Sequence, residues 1–208
     1  MRDRGSMERV LTFLIGAAIV VALSMVLDGG AYHFVRRPDV YDHDGGRLLR
    51  IMGFYPTWMA IAAAAWLEDR GSPRPASRAY SRSFLLFLSP GLGGLAAEGL
   101  KILLRRERPA LHDGAYVFRS WTDHPFFTGN LGLPSSHAMV AFAGAAMAAR
   151  IWPRSAPVWY LLATGCALTR VLVSAHFLSD VVVAAVGGWV VAWLLWRRFA
   201  IAVTLPPA

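Results

Sequence analysis

Six long apolar stretches constrain the fold of this chain more than any other feature of its sequence. They lie at about residues 10–27, 48–67, 84–104, 137–152, 158–175 and 181–196. A helix of about 18 residues rises roughly 27 Å, which is close to the hydrocarbon thickness of a bilayer. Each stretch therefore predicts one membrane-spanning helix. We expect an all-α membrane protein, a six-transmembrane-helix bundle that forms a single domain over residues 1–208.

The composition agrees with a membrane protein. Hydrophobic residues make up 56% of the chain and charged residues only 16%, and the mean hydropathy is +0.44. Soluble domains carry more charge. The net charge is +8, but the basic residues stand in short clusters between the apolar stretches. Such clusters are typical of the flanks of membrane helices rather than of a nucleic-acid-binding surface. The single cysteine, Cys166, provides neither a disulfide framework nor a Cys-based metal site.

The first apolar stretch has two possible interpretations, a signal peptide or a membrane helix. No small-residue cleavage motif follows the run from Val10 to Leu27. We therefore expect the run to be a retained first membrane helix.

Two cations stand at the end of the third stretch. Lys101 and Arg108 are seven residues apart, so on one helix they would project from nearly the same face. Pro109 disfavours helix at Arg108 and is expected to end the helix there. Two converging cations can bind one anion. The alternative is that both side chains reach toward the interface from a helix end.

The segment "TRVLVSAHFLSD" at residues 169–180 combines a histidine with an aspartate four residues later. On one helix face, Asp180 can accept a hydrogen bond from His176 and leave the other ring nitrogen as a free lone pair. Arg170 would reach the same pocket only if a turn separates the fifth and sixth helices. The alternative is a buried His–Asp pair with a structural role.

The segment "LPSSHA" at residues 133–138 opens the fourth stretch. Pro134 suits a first helical turn, and the N–H groups that follow it are unpaired donors at the positive end of the helix dipole. Ser135 and Ser136 add hydroxyl donors, and His137 adds a titratable group. The alternative is an ordinary helix start.

All three polar segments fall on one side of the membrane in an up-and-down bundle of six helices. Their convergence favours one anion pocket over three coincidences. With Lys101, Arg108 and Arg170 set aside, the other basic residues lie modestly more often on the side of the N-terminus. This bias predicts that the N-terminus is inside and the active site lies at the extracytoplasmic membrane surface.

The same segments resemble the three-part signature of the type-2 phosphatidic acid phosphatase superfamily, in its integral-membrane branch. Lys101 through Arg108–Pro109 matches the first motif, "PSSH" at 134–137 the second, and residues 169–180 the third. The motif-bearing core covers residues 98–182. Ser136 stands where the family usually has glycine, and Thr169 where it usually has serine. The Ser136 hydroxymethyl is therefore either an additional donor to phosphate or a small obstruction.

This resemblance implies hydrolysis of a phosphomonoester or diphosphate through a phosphohistidine, without a metal ion or other cofactor. His176 would be the nucleophile, Asp180 would orient it, and His137 would protonate the leaving oxygen and then activate water. The phosphoryl oxygens would be bound by the residues that supply positive charge or hydrogen-bond donors: Lys101, Arg108, Ser135, Ser136 and Arg170.

We therefore predict a multi-pass lipid phosphatase of the cell (inner or plasma) membrane, with no nucleic-acid partner. The leading substrates are undecaprenyl diphosphate, phosphatidylglycerophosphate and phosphatidate, and lipid A phosphate is a further possibility. The main alternative is a non-hydrolytic protein that binds or moves phospholipid or phosphate, with a site degenerate at Ser136. A vanadate-binding haloperoxidase has similar anion residues, but the membrane helices disfavour it. The run "DVYDHDGG" at 39–46 is more typical of a solvated turn than of a metal site.

Overall fold

The computed structural model describes residues 4–70 and 76–199. Seven α-helices fill these ranges: α1 (Arg4–Val35), α2 (Asp44–Ile51), α3 (Tyr55–Arg70), α4 (Ala76–Leu104), α5 (Ser136–Ile151), α6 (Ala156–Leu172) and α7 (Leu178–Phe199). Short 3-10 turns occupy Pro38–Tyr41, Pro109–Leu111 and Pro153–Ser155. The only β pairing within the described ranges consists of two single-residue bridges. Two of the basic residues counted for the predicted membrane topology, Arg2 and Arg74, lie outside these ranges.

The all-helical prediction is confirmed for the described residues, and three helices are suited to a membrane. Leu11–Val35, Arg82–Leu104 and Leu178–Phe199 are long and apolar enough to cross a bilayer, and the bent pair of α2 and α3 would be a fourth span. The remaining two helices, α5 and α6, have 16 and 17 residues. Their lengths correspond to about 24–26 Å, slightly less than a full bilayer crossing.

Helix α5 lies at the centre of the molecule and packs against α4, α6 and α7. Small residues make this close packing possible. A Cβ on Gly144 would lie 2.2 Å from the Trp58 ring of α3, and a Cβ on Gly188 of α7 would lie 2.6 Å from the Met139 carbonyl oxygen. At the periphery, Phe13 of α1 stacks on Trp189 of α7 with ring centroids 4.7 Å apart. The Ala-rich α5 thereby packs closely against the surrounding helices.

The second apolar stretch is broken, whereas the sequence predicted one helix there. Helices α2 and α3 meet at an angle of 68° across residues 52–54. Gly53 lies in this break, and a Cβ on it would stand 2.7 Å from the Cβ of His137 and 2.9 Å from the Cys166 sulfur. The chain therefore bends where it must pass close to the first turn of α5.

The third helix ends four residues earlier than predicted. Helix α4 stops at Leu104, and Arg105 has a φ of 53°, in the left-handed region. The buried Arg105 guanidinium donates to four carbonyl oxygens of the following connection, at 2.6–3.1 Å: those of Arg119, Ser120, Asp123 and Pro125. These bonds replace helix continuation, so Lys101 and Arg108 do not share a helix face. Arg108 instead lies in extended chain, where its N–H donates to the Asn130 carbonyl.

Candidate active site

The ends of four helices meet at one end of the bundle. Helices α4 and α6 finish there, and α5 and α7 begin there. The connection over residues 105–135 covers this end and returns Gly132 to the neighbourhood of Asp180 and Arg108. The three polar segments identified in the sequence are therefore brought together, although they are far apart along the chain.

His176 is buried in the turn that separates α6 from α7. Ser174, with a φ of 56°, makes that turn, so His176 precedes α7 rather than lying on a helix. The His176 Nδ1 atom lies 2.9 Å from the Gly132 carbonyl oxygen. Because a carbonyl oxygen only accepts, Nδ1 carries the proton, and Nε2 of the neutral ring keeps a free lone pair. Burial lowers the pKa of His176, which favours this neutral form.

The predicted hydrogen bond between His176 and Asp180 is wrong in its detail. The Asp180 Oδ2 atom lies 3.6 Å from Nδ1 of His176, in ion-pair range but beyond a good hydrogen bond. The fully buried Asp180 carboxylate is held by two other donors, Nη2 of Arg106 at 2.6 Å and the Phe177 N–H at 2.8 Å. Asp180 therefore acts on the His176 ring through its charge, while Gly132 fixes the tautomer.

Ser135 is the N-cap residue of helix α5. The Ser135 hydroxyl oxygen accepts from the Ala138 N–H at 3.4 Å, and the Ser135 N–H donates to the Asp180 carbonyl at 3.2 Å. Pro134 thus precedes the cap, after a cis peptide bond, instead of occupying the first helical turn as predicted. In the described part of the chain, the N–H groups of Ser136 and His137 have no hydrogen-bond partner. Both are donors at the positive end of α5.

Lys101 and Ser136 share a carboxylate, that of Glu98. The Lys101 Nζ atom lies 2.8 Å from Glu98 Oε1, and the Ser136 hydroxyl donates to the same oxygen at 2.5 Å. Lys101 also donates to the Ser136 hydroxyl oxygen. Lys101 is buried, whereas the Glu98 side chain is 42% exposed. The Ser136 hydroxyl is therefore directed at Glu98 in this structure.

Arg108 and Arg170 lie close enough for their charges to interact, and neither forms a salt bridge with a carboxylate among the described residues. Their Nε atoms are buried and make no hydrogen bond there. The Arg170 Nη1 atom donates to the Tyr41 hydroxyl at 2.8 Å. Burial, and then the neighbouring charge of Arg170, lower the pKa of Arg108. Two neighbouring, poorly solvated cations repel each other, and an anion bound between them would offset that repulsion.

The charges around His176 act on its ring. Burial lowers the pKa of His176 most, the Asp180 carboxylate raises it, and Arg170 and Arg108 lower it further. One compact site thus contains a neutral buried imidazole, a second imidazole, three cations and two free backbone N–H donors. Such a set suits the transfer of a group that carries negative charge on several oxygens. Within the described ranges, no three His, Cys, Asp or Glu side chains are placed to hold a metal ion together.

Four residues at or beside the site were not predicted from the sequence: Arg106, Gly132, Tyr41 and Asp28. Arg106 stands in "RRERP", where the sequence does not distinguish which arginine faces the interior. Asp28 was visible as a charge at the end of the first apolar stretch. Gly132 contributes only a carbonyl oxygen, which no local sequence pattern marks. Tyr41 ends the 3-10 turn Pro38–Tyr41, in the run "DVYDHDGG", where the sequence indicated only a solvated turn.

Two curated phosphatases are similar to this chain in sequence. The chain is 29% identical over 181 residues to the lipid A 1-phosphatase of Rhizobium etli, which covers 81% of this chain and 76% of that protein. It is 35% identical over 107 residues to the lipid A 1-phosphatase of Rhizobium johnstonii, covering 50% of this chain and 43% of that one.

A solved structure and a family profile extend these comparisons. The fold matches the crystal structure of a transmembrane PAP2-type phosphatidylglycerolphosphate phosphatase from Bacillus subtilis, with a TM-score of 0.61 at 19% identity over 95% of this chain and 96% of the other. The profile of the PAP2 superfamily, which is the type-2 phosphatidic acid phosphatase superfamily indicated by the motifs, matches residues 82–202. This chain belongs to the PAP2 superfamily.

Proposed function

We propose that this phosphatase hydrolyses the phosphate of a membrane lipid through a phosphohistidine formed on His176. The observation that carries the proposal is a pair of arginines near the buried His176: half-buried Arg108 and buried Arg170, whose buried Nε atoms have no hydrogen-bond partner among the described residues. A phosphoryl group supplies the negative charge that this site lacks. The family membership and the names of the Rhizobium relatives support the same chemistry.

In the first step, Nε2 of His176 attacks phosphorus and the bond from phosphorus to the leaving oxygen breaks. His137 donates a proton to that oxygen. Water then attacks the phosphohistidine, His137 accepts its proton, and inorganic phosphate and neutral His176 are released. Asp180 stabilises the positive charge that develops on His176. Lys101, Arg108, Arg170 and the first turn of α5 at Ser135–Ser136 bind the phosphoryl oxygens.

His137 has to carry a proton when the substrate binds. A bound phosphate brings negative charge beside the ring, and that charge favours the imidazolium form.

The placement of the site suits a lipid whose tail stays in the bilayer. We infer that the six apolar segments α1, α2–α3, α4, α5, α6 and α7 all cross the membrane and make residues 1–208 one domain. The site at the ends of α4 to α7 then lies near the lipid headgroups, on the extracytoplasmic side of the inner or plasma membrane. Exposed aromatic residues of the covering connection, Trp121, Phe126 and Phe127, suit that interface.

The proposed substrates are lipid A 1-phosphate, undecaprenyl diphosphate, phosphatidylglycerophosphate and phosphatidate. The names of the Rhizobium relatives favour lipid A 1-phosphate among these four. The decisive experiment measures phosphate release from each lipid in mixed micelles, for the wild type and for His176→Ala. We expect release from at least one lipid and at least a thousandfold loss in the variant, because the nucleophile is gone.

Two results would contradict the proposal. Release from none of the four lipids would favour a protein that binds or moves phospholipid without hydrolysing it. Activity abolished by EDTA and restored by a divalent cation would replace the metal-independent mechanism. Trapping of labelled phosphate on the wild type, but not on His176→Ala, would identify the intermediate directly.

A further inference from the structure

Asp28 is a buried carboxylate on α1, a helix most of whose residues are exposed. The most apolar window of α1 is only 11% buried inside the protein, yet Asp28 itself is 2% exposed. A charged side chain within a membrane-spanning helix is costly and normally serves a partner or a function. Asp28 is therefore expected to have a partner or a function inside the bundle.

The partners of Asp28 belong to the active-site end of the bundle. Its Oδ1 atom accepts from the Ser179 N–H at 2.8 Å, and its Oδ2 atom accepts from the hydroxyls of Ser179 and Tyr116. No Lys, Arg or His nitrogen in the described ranges forms a salt bridge with Asp28. Its negative charge is thus balanced through Ser179 rather than by direct contact with a cation.

Ser179 passes this interaction on to the carboxylate beside the nucleophile. The Arg106 Nη2 atom donates to the Ser179 hydroxyl oxygen at 2.6 Å and to Asp180 Oδ1 at 2.6 Å. Arg106 is 1% exposed, and its guanidinium packs against the rings of Tyr116 and Phe177. A chain of alternating charge results, from Asp28 through Ser179 and Arg106 to Asp180.

We propose that Asp28 is a positioning residue of the catalytic site. It orients Ser179, and Ser179 places the Arg106 guanidinium that holds Asp180 at 3.6 Å from His176. The inference rests on the proposed role of His176 as nucleophile. It assigns a role in the reaction to α1, a helix that lies outside the residues 82–202 matched by the superfamily profile.

A positioning role has a definite kinetic signature. In the described ranges Asp28 is hydrogen-bonded to Ser179 and Tyr116 and to none of the proposed phosphate-binding cations, so substrate binding should survive its replacement. Asp180 and the ring that it influences should lose their alignment for attack. A change in Asp28 should therefore lower kcat and leave KM almost unchanged.

The experiment uses the full chain in mixed micelles, with the best lipid phosphate from the substrate panel. Asp28→Asn keeps the shape of the side chain but removes its charge and one acceptor. We expect kcat to fall at least tenfold and KM to stay within twofold of the wild type. Ser24→Ala is the matched control, because Ser24 is buried one turn earlier on α1 and its hydroxyl donates to the Val21 carbonyl of the same helix. It should leave both constants within twofold.

A double-mutant cycle keeps the test valid if Asp28→Asn lowers the yield of folded protein. Ser179→Ala breaks the same chain from the other side while Asp28 remains. If Asp28 acts through Ser179, the kcat of the double variant is close to that of the less active single variant, and the two losses do not multiply.

Two outcomes would overturn the role of Asp28 while His176→Ala remains inactive. One is a kcat for Asp28→Asn within twofold of the wild type. The other is a double variant in which the two losses multiply. Absence of phosphate release from the wild type would instead refute the proposed function itself.

Discussion

Glu98 and Ser136 form a pair that bears directly on phosphate binding. The Ser136 hydroxyl, which stands where the family usually has glycine, donates to Glu98 and receives a hydrogen bond from Lys101. The structure thus offers a third role for this hydroxyl, besides an additional phosphate donor and an obstruction. It stabilises a carboxylate that partly neutralises Lys101.

Glu98→Gln should tighten the binding of inorganic phosphate. The substitution keeps the shape of the side chain but restores the full positive charge of Lys101 to the site. Because Glu98 is partly exposed, we expect a modest effect, a decrease of about fivefold in the inhibition constant of phosphate, or about 1 kcal/mol. Glu68→Gln, on the exposed far end of α3, is the control and should leave the constant within twofold. Weaker inhibition in Glu98→Gln would contradict this account.

The acidity of His176 should set the acid limb of kcat/KM. Burial lowers the pKa of His176 below its ordinary value of 6.5, so the neutral nucleophile persists at pH values below 6.5 and activity declines only under more acid conditions. With His137 acting as the acid, the whole profile is expected to be bell-shaped.

Asp180→Asn separates the ionisation of His176 from that of the substrate. Removing this carboxylate withdraws a charge that favours the imidazolium, so the acid limb of the residual activity should move to lower pH. The substrate's own ionisation is the same in both enzymes. An acid limb that stays in place would show that the substrate, and not His176, sets it.

At the scale of the elements, the break between α2 and α3 packs closely against the first turn of α5. Gly53 lies so close to His137 that a Cβ would stand 2.7 Å from both the Cβ and the carbonyl oxygen of that residue. An added methyl group must therefore displace His137 or separate α2–α3 from α5.

Gly53→Ala should consequently reduce kcat/KM at least tenfold, because His137 would no longer reach the leaving oxygen. Gly45→Ala is the matched control in α2, since a Cβ there would meet no atom within 4 Å. We expect that variant to keep its activity within twofold. Phosphate release from both variants, measured beside their thermal midpoints in detergent, checks the prediction. Equal activities would show that the break can relax without moving His137.

At the scale of the whole molecule, the two ends of the bundle differ in chemistry. The connection over residues 105–135 and the site lie at one end, and the turn at Pro153–Ser155 joins α5 and α6 at the other. If the site is extracytoplasmic, these two regions face opposite sides of the membrane.

Cysteine labelling tests this orientation. His124 and Arg154 are exposed, one at each end, and the native Cys166 is fully buried and should give little background. We expect His124→Cys to react with a membrane-impermeant maleimide in intact cells with a permeable outer envelope. Arg154→Cys should react only after the inner membrane is opened. The reverse pattern would place the active site on the cytoplasmic side.

The sequence by itself determined the helical class, the family and the segments that carry charge near the membrane. These properties are local: apolar runs of sufficient length predict helices in lipid, and the motif residues at 101–109, 134–137 and 169–180 have short, fixed spacings. Periodicity also predicted that a turn must follow Arg170 if it and His176 share a pocket, and the turn at Ser174 supplies it.

Only the tertiary structure decided which atoms meet. The early end of α4 depends on carbonyl groups up to 20 residues away that bind Arg105, and the partner of His176 Nδ1 is a carbonyl 44 residues earlier. Asp28 reaches Ser179 across 151 residues. Such contacts arise from the packing of separate helices and loops, and no local pattern of residues encodes them. The motif residues of the site could therefore be predicted from the sequence, whereas their hydrogen-bond partners depended on the fold.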